Sequence, residues 1–298
     1  MSGTAIDAGD GAPKAAARPM IVGAGGMLGR HLAEILIPDH PDTVCATRDE
    51  IDITDYFGTR WNLERLEPTV VINCAALTDV DGCEARAEEA NRVNGEGAGL
   101  LSRACREVGA RIIHVSTDFV FDGASERPYR EDDAARPLSA YGRSKLLGER
   151  RVAEENPDHL IVRCSWLYGP YGRSFVSAIL EAARAGRTPR VVTDQHGTPT
   201  YTADLGWAIR RLLDMPARGV IHFANAGVCS RLELAREALR AAGLAVPVEP
   251  IRSDELSRPA RRPAYSALDT ARYAALAGEP PRPWQETLAD YVAATAAG

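Results

Sequence analysis

The sequence predicts an α/β fold: a doubly wound parallel sheet with a smaller lobe built on the C-terminal half. Three observations predict it. Short apolar runs recur along the 298 residues without polar alternation, as in strands covered on both faces. Helical patterns separate most of these runs, and a β-α-β-α rhythm lays helices on both sides of one sheet. A glycine-rich junction joins the first apolar run to the first helical stripe.

The strands are expected at Met20-Ile21-Val22, Thr43 to Ala46, Val70 to Asn73, Ile112 to Val115, Leu160 to Val162 and Val220 to Phe223. After the first of them, Leu28, Leu32, Ile35 and Leu36 fall at i, i+4, i+7 and i+8, a one-sided helical stripe. Beyond about Trp166 the rhythm loosens. Phe175, Val176, Ile179 and Leu180 suggest a helix, Leu232 to Arg240 another, and Trp284, Leu288, Tyr291 and Val292 a last one. The Pro- and Arg-dense stretch Arg258 to Pro263 reads as loops. This pattern assigns residues 18–165 to the sheet domain, with 191–228 returning to it, and 166–190 and 229–298 to the lobe. Residues 1–17, rich in Ala, Gly and Asp, read as a disordered extension and not as a secretory signal.

Composition narrows the function classes. A formal net charge of −6 argues against an electrostatic nucleic-acid binder. No apolar run approaches the ~20 residues needed to span a bilayer. The six cysteines are scattered, with no Cys-x-x-Cys, and read as free thiols of a reducing cytoplasm. The six histidines form no ligand cluster, so no metal is expected. A Gly-x-Ser-x-Gly elbow is absent, which disfavours serine hydrolysis. The charges Glu149-Arg150-Arg151 and Glu154-Glu155 read as a solvated helix face.

Gly23-Ala24-Gly25-Gly26-Met27-Leu28-Gly29 carries the strongest binding signal. Gly23 permits a tight turn, Gly26 lets a pyrophosphate approach the backbone, and Gly29 allows helix and strand to touch, as in a Rossmann-type dinucleotide site. No Gly-Lys-Ser/Thr ending follows, so a P-loop is disfavoured. The acidic residue that usually holds the ribose is missing at the end of the second strand. Thr47-Arg48 stands there, with Asp49 and Asp52 later. A cation at that point can meet a 2′-phosphate, which favours NADPH with NADH possible; an ordinary surface arginine is the competing reading of Arg48.

Tyr141 and Lys145 stand four apart, one helical turn, so both side chains leave one face. A phenol beside an ammonium is an acid poised to ionise. Thr117 adds a hydroxyl, though it also reads as a strand-end cap. A chance surface pair has the same spacing; the glycine junction and Ser116-Thr117-Asp118 upstream favour chemistry.

These strings resemble an extended short-chain dehydrogenase/reductase, and within it the dTDP-4-dehydrorhamnose reductase family. The likeness runs from about Pro19 to the C-terminus. It rests on the glycine junction, Val71 to Thr78, Ser116 to Phe121, Pro137 to Lys145, Arg163-x-Ser165-Trp166-x-Tyr168, Asp194 to Thr200 and Arg262-Pro263. The resemblance implies a catalytic group of Thr117, Tyr141 and Lys145, with Lys145 lowering the tyrosine pKa. It implies cofactor contacts from Gly26, Met27 and Leu28, from Thr47, Arg48, Asp52 and Ile53, and from Ala75, Ala76, Leu77 and Thr78. Val115 and Trp166 would line the nicotinamide and sugar pocket, Trp166 also reading as core. Gln195, Thr198 and Arg262 would touch the sugar nucleotide; Asp118 would bind sugar or merely hold its loop. The implied activity is NAD(P)H-dependent reduction of the C4 ketone of a dTDP-4-dehydro-6-deoxyhexose by a cytoplasmic monomer or homodimer, with no nucleic-acid or membrane partner. A reductase of a related antibiotic-pathway ketosugar (dihydrostreptose synthesis, for example), a sugar-nucleotide epimerase and a non-catalytic NADP-binding regulatory subunit are the alternatives. One departure stands out: some members carry, two residues after the last glycine, a glutamate that binds a magnesium ion between subunits, and here that place is His31.

Overall fold

The computed structural model describes residues 17–296, so the extension expected over residues 1–17 lies outside the described residues except for Ala17. All six expected strands are present in one sheet: β1 (Pro19–Val22), β2 (Val44–Ala46), β3 (Val70–Asn73), β4 (Arg111–Thr117), β5 (His159–Cys164) and an edge strand, Gly219–His222. Their order is edge strand, β5, β4, β3, β1, β2, and every pair is parallel. This is the doubly wound Rossmann-type sheet.

The unbroken apolar runs have a simple cause. Successive side chains leave opposite faces of a strand. Ile21, Ile72, Ile113 and Val162 enter one core, with Leu28, Leu32 and Leu36 of α1 (Met27–Leu36) and with the Thr202–Leu213 helix. Met20, Val22, Val71, Ile112 and Ile161 enter the other, against the Tyr56–Leu66 and Ala98–Glu107 helices. The Phe175–Arg184, Arg231–Ala241 and Trp284–Ala296 helices share a further apolar cluster with Tyr168 and Val191.

The helix Ala140–Glu155 carries Tyr141 and Lys145, and the Ser139 hydroxyl caps it by accepting the Gly142 N–H at 3.1 Å. A wide-turn π-helix, Asn91–Gly97, packs against it. Glycines make that approach possible. A Cβ on Gly148 would overlap the Asn94 carbonyl oxygen, and one on Gly95 would lie 2.5 Å from Leu147. Asn94 also donates to Ser144 Oγ at 3.0 Å and accepts the Leu77 N–H at 2.7 Å.

The chain winds to one side of β1 through β2 and to the other through β3, the crossover point where open α/β sheets bind ligands. There the C-terminal ends of β1, β3, β4 and β5 open onto a cavity of about 660 Å³. Among the described residues no helix is long and apolar enough to cross a membrane.

Candidate active site

Gly23 turns the chain at φ 81°, and a Cβ there would lie 2.6 Å from the Ala75 nitrogen. A Cβ on Gly29 would overlap the Gly23 carbonyl oxygen. These two positions therefore admit glycine alone and set α1 close against β1. The helix begins at Gly26 with no side-chain cap and no acidic residue in its first turn. Its open amides, lined up behind Gly26, Met27, Leu28 and Gly29 on the cavity wall, fit an anionic diphosphate. Ala76, Thr78 and Val115 line the same cavity.

The residues expected around the far ribose sit differently. Thr47 gives its N–H and hydroxyl to Glu50, at 2.7 and 3.0 Å, and those bonds hold the Glu50 carboxyl below its usual range. Asp52 accepts the Thr54 N–H and hydroxyl, at 2.9 and 2.8 Å, closing a local turn. Ile53 is buried in the core and Arg48 is exposed. None of Thr47, Arg48, Asp52 and Ile53 reaches the cavity wall. The Asp52 carboxyl is engaged in that turn and the Ile53 side chain in apolar packing.

Thr117 ends β4, two residues beyond the expected strand. Its hydroxyl donates to Asp118 Oδ1 at 3.1 Å and accepts the Phe119 N–H at 3.2 Å. Thr117 thus caps the turn and, with Asp118 and Tyr141, also lines the cavity. The Tyr141 ring meets Phe119 edge-on at 5.5 Å, and Leu77 joins their cluster. Lys145 is 2% exposed; its Nζ donates to the Val115 carbonyl at 2.7 Å and lies 3.3 Å from His114 Nε2. Burial depresses this amine to about 8, against the opposing pull of Glu149.

The expected lowering of the Tyr141 pKa is corrected. Burial pushes the phenol above its usual value, Cys164 adds to the rise, and the Thr117 hydroxyl pulls the other way. Lys145 points at a backbone carbonyl instead. Glu149 corrects the solvated-face reading too. It is 4% exposed, accepts from Ser116 Oγ at 2.5 Å, and takes two bonds from Arg163 at 2.9 and 2.7 Å. Arg151 does lie at the surface, paired with Glu96 and Glu154.

On the lobe side, Trp166 adopts left-handed backbone at φ 48° and lines the cavity. Arg231 lies over the Trp166 ring at 3.6 Å and over Phe175 at 4.8 Å. Its backbone N–H donates to the Gln195 carbonyl at 3.1 Å. Burial lowers the guanidinium to about 10, with Asp118 acting against that shift. Asp118 itself, 1% exposed and accepting Ser266 Oγ at 2.5 Å, is raised to about 6 chiefly by burial. Gln195 and Arg262 line the cavity, Gln195 tied to Ser253 Oγ at 2.9 Å and Arg262 to both Asp81 oxygens at 3.0 and 2.8 Å. Thr198 does not line it. Its hydroxyl lies 2.8 Å from Ser165 Oγ and accepts the Leu268 N–H at 3.3 Å, so the expected sugar contact is corrected to an internal brace.

The family model for the RmlD substrate binding domain matches residues 17–297. The chain is 43% identical over 287 residues to a dTDP-4-dehydrorhamnose reductase of Mycobacterium tuberculosis, covering 94% of this chain and 93% of that one. The chain belongs to the dTDP-4-dehydrorhamnose reductase family. It is also 41% identical to the dTDP-4-keto-6-deoxy-D-glucose reductase of Streptomyces niveus, over 91% of this chain and 95% of that one. The Bacillus anthracis dTDP-4-dehydrorhamnose reductase, solved in complex with NADP, superposes with a TM-score of 0.90 at 35% identity, covering 93% of this chain and 99% of that one.

Within this member of the family, sequence reasoning missed Arg231, Phe175, Arg258 and Glu149. A signal for Arg231 was present. Ser230 and Glu233 form a capping box, which fixes Arg231 as the first helical residue. At the family's variable metal position, His31 Nδ1 lies 2.6 Å from Thr202 Oγ1 and the ring packs edge-on against Tyr171 and Tyr201. Among the described residues no group of three His, Cys, Asp or Glu side chains is placed to hold a metal ion.

Proposed function

We propose that this chain reduces the C4 ketone of a dTDP-4-dehydro-6-deoxyhexose, with NADPH as the preferred donor and NADH as the second. The observation that carries the reading is one cavity whose wall joins the open N-terminus of α1 to Thr117, Tyr141 and a set of arginines that includes Arg231, Arg258 and Arg262. Gly26 to Gly29 would hold a nicotinamide cofactor, which would supply the hydride. Tyr141 holds its proton firmly because its phenol is buried, and releases it only as charge develops on the substrate oxygen, the behaviour a general acid needs. Thr117, by turning its one hydroxyl proton from Asp118 to the same oxygen, polarises it. Arg258 and Arg262 take the anionic nucleotide, and Arg231, held against the Trp166 and Phe175 rings, orients the sugar beside Asp118. Residues 18–165 and 191–228 make the cofactor half of this machine, and 166–190 with 229–298 the substrate lobe. The working unit is a cytoplasmic monomer or homodimer.

The test is incubation with dTDP-4-dehydrorhamnose and either NADPH or NADH, with nicotinamide absorbance followed and the product assigned by NMR. Equimolar loss of NADPH and ketone is expected. Sugar isomerisation without cofactor consumption identifies an epimerase, and a stoichiometric partner with no turnover identifies a regulatory subunit; either sinks the reading.

Asp118 gives this activity an acid limb. Its carboxyl takes a proton as pH falls through about 6, which removes the charge that faces Arg231 and weakens the acceptors for Ser266 and Thr117. In wild type kcat/KM is expected to fall below that pH, and in Asp118→Asn the limb disappears. A limb unchanged in the variant assigns it elsewhere.

A further inference from the structure

Three buried side chains stand in a row behind Tyr141: Asn73, His114 and Lys145. Asn73 and His114 face each other across β3 and β4, and neither is exposed. The Ala75 backbone N–H lies 3.0 Å from Asn73 Oδ1. A backbone N–H can only donate, so the Asn73 oxygen must face it and the Asn73 NH₂ must face His114 Nδ1, 3.0 Å away. An amide nitrogen also only donates. His114 Nδ1 therefore carries no proton. The ring is neutral, since burial alone pushes its pKa well below the usual histidine range. Its single proton then sits on Nε2, the atom 3.3 Å from Lys145 Nζ. An N–H aimed at an ammonium finds no lone pair; aimed at an amine, it finds one.

We propose that Asn73 locks His114 in the Nε2–H tautomer, making it a positioning residue that donates to Lys145 Nζ and favours the neutral amine. Lys145 then gives one N–H to the Val115 carbonyl and accepts the imidazole N–H on its lone pair. Around the same nitrogen, the Glu149 carboxylate on its own helix favours the ammonium, while burial sides with the imidazole; Cys164 on β5 and Cys74 after β3, held as neutral thiols by burial, add no charge there. Tyr141 stands one turn earlier on that helix. The catalytic lysine is thereby set to change charge near neutral pH instead of standing as a permanent cation.

The inference rests on the catalytic reading of Lys145, but its first test needs no turnover. Wild-type protein labelled with ¹⁵N-histidine is examined by ring ¹H–¹⁵N correlation near neutral pH, His114 being assigned by the signals lost in His114→Phe, or in His114→Gln if the first variant does not fold. A proton on Nε2 with Nδ1 bare is expected; a proton on Nδ1, or on both nitrogens, overturns the proposal. The second test is the pH profile of kcat/KM. His114→Phe is expected to move the alkaline limb up by roughly half to one pH unit, the worth of one neutral hydrogen bond. A purely structural role would lower the rate at every pH and leave the limb in place, and that result, or a downward shift, overturns the assignment. Failure of the reductase reading alone leaves the ring spectrum as predicted.

Discussion

Replacing Tyr141 with phenylalanine is expected to lower kcat by about 10²–10⁴-fold, the usual worth of a positioned general acid, and to leave NADPH affinity nearly unchanged. The variant keeps the ring that meets Phe119 at 5.5 Å and packs with Cys83, Ala90 and Ala140, so its effect is confined to the hydroxyl. No other phenol lines the cavity. Thr117 stays in place, but an aliphatic hydroxyl is a far weaker proton donor, and it already donates to Asp118. Steady-state reduction of dTDP-4-dehydrorhamnose, with cofactor titration by fluorescence, separates the two quantities. Activity within a few-fold of wild type would remove Tyr141 as the acid.

The second large effect is expected from Gly142→Ala, which adds one methyl group and no chemistry. On helix propensity alone alanine should stabilise this position by about 1 kcal/mol. Sterics run the other way and win. The new Cβ would overlap the Phe119 carbonyl oxygen and lie 2.9 Å from Pro137 Cβ. Overpacking of this kind costs about 1–3 kcal/mol, and part of the strain is relieved by lifting the helix from the turn that follows Thr117. Tyr141 and Thr117 then no longer converge on one oxygen, and a misplacement near 1 Å costs about 10²-fold in kcat. Kinetics and a thermal melt check this together. A variant as fast as wild type and more heat-stable would mean that the turn yields freely and that the close approach has no catalytic role.

Much of the fold is legible in the residues, for reasons visible strand by strand. A parallel strand buried on both faces cannot alternate, and Met20-Ile21-Val22 sends its side chains to two different cores. Gly23 and Gly29 are legible because backbone approach forbids a Cβ at both. Tyr141 and Lys145 share a helix face by spacing alone. What the residues hide depends on partners distant in sequence. Glu149 sits beside two arginines and looks solvated, yet its partners are Arg163 on β5 and Ser116 on β4. Arg231 becomes a pocket residue only once Trp166 and Phe175 close on it. Thr198 belongs to a string typical of the family, but a string does not say which way a hydroxyl faces, and Ser165 holds this one inward. The direction of the Tyr141 shift was hidden for the same reason, because burial and the bond from Lys145 to Val115 are tertiary facts.

The clamp at Asn94 has a mechanical corollary. Through that one amide, the segment after β3 and the helix bearing Tyr141 are pinned to a single anchor, and the glycine seam at Gly95 and Gly148 leaves no slack for sliding. Roof and floor on this side of the cleft thus travel as one rigid jaw. The opposite wall carries instead the left-handed backbone at Trp166.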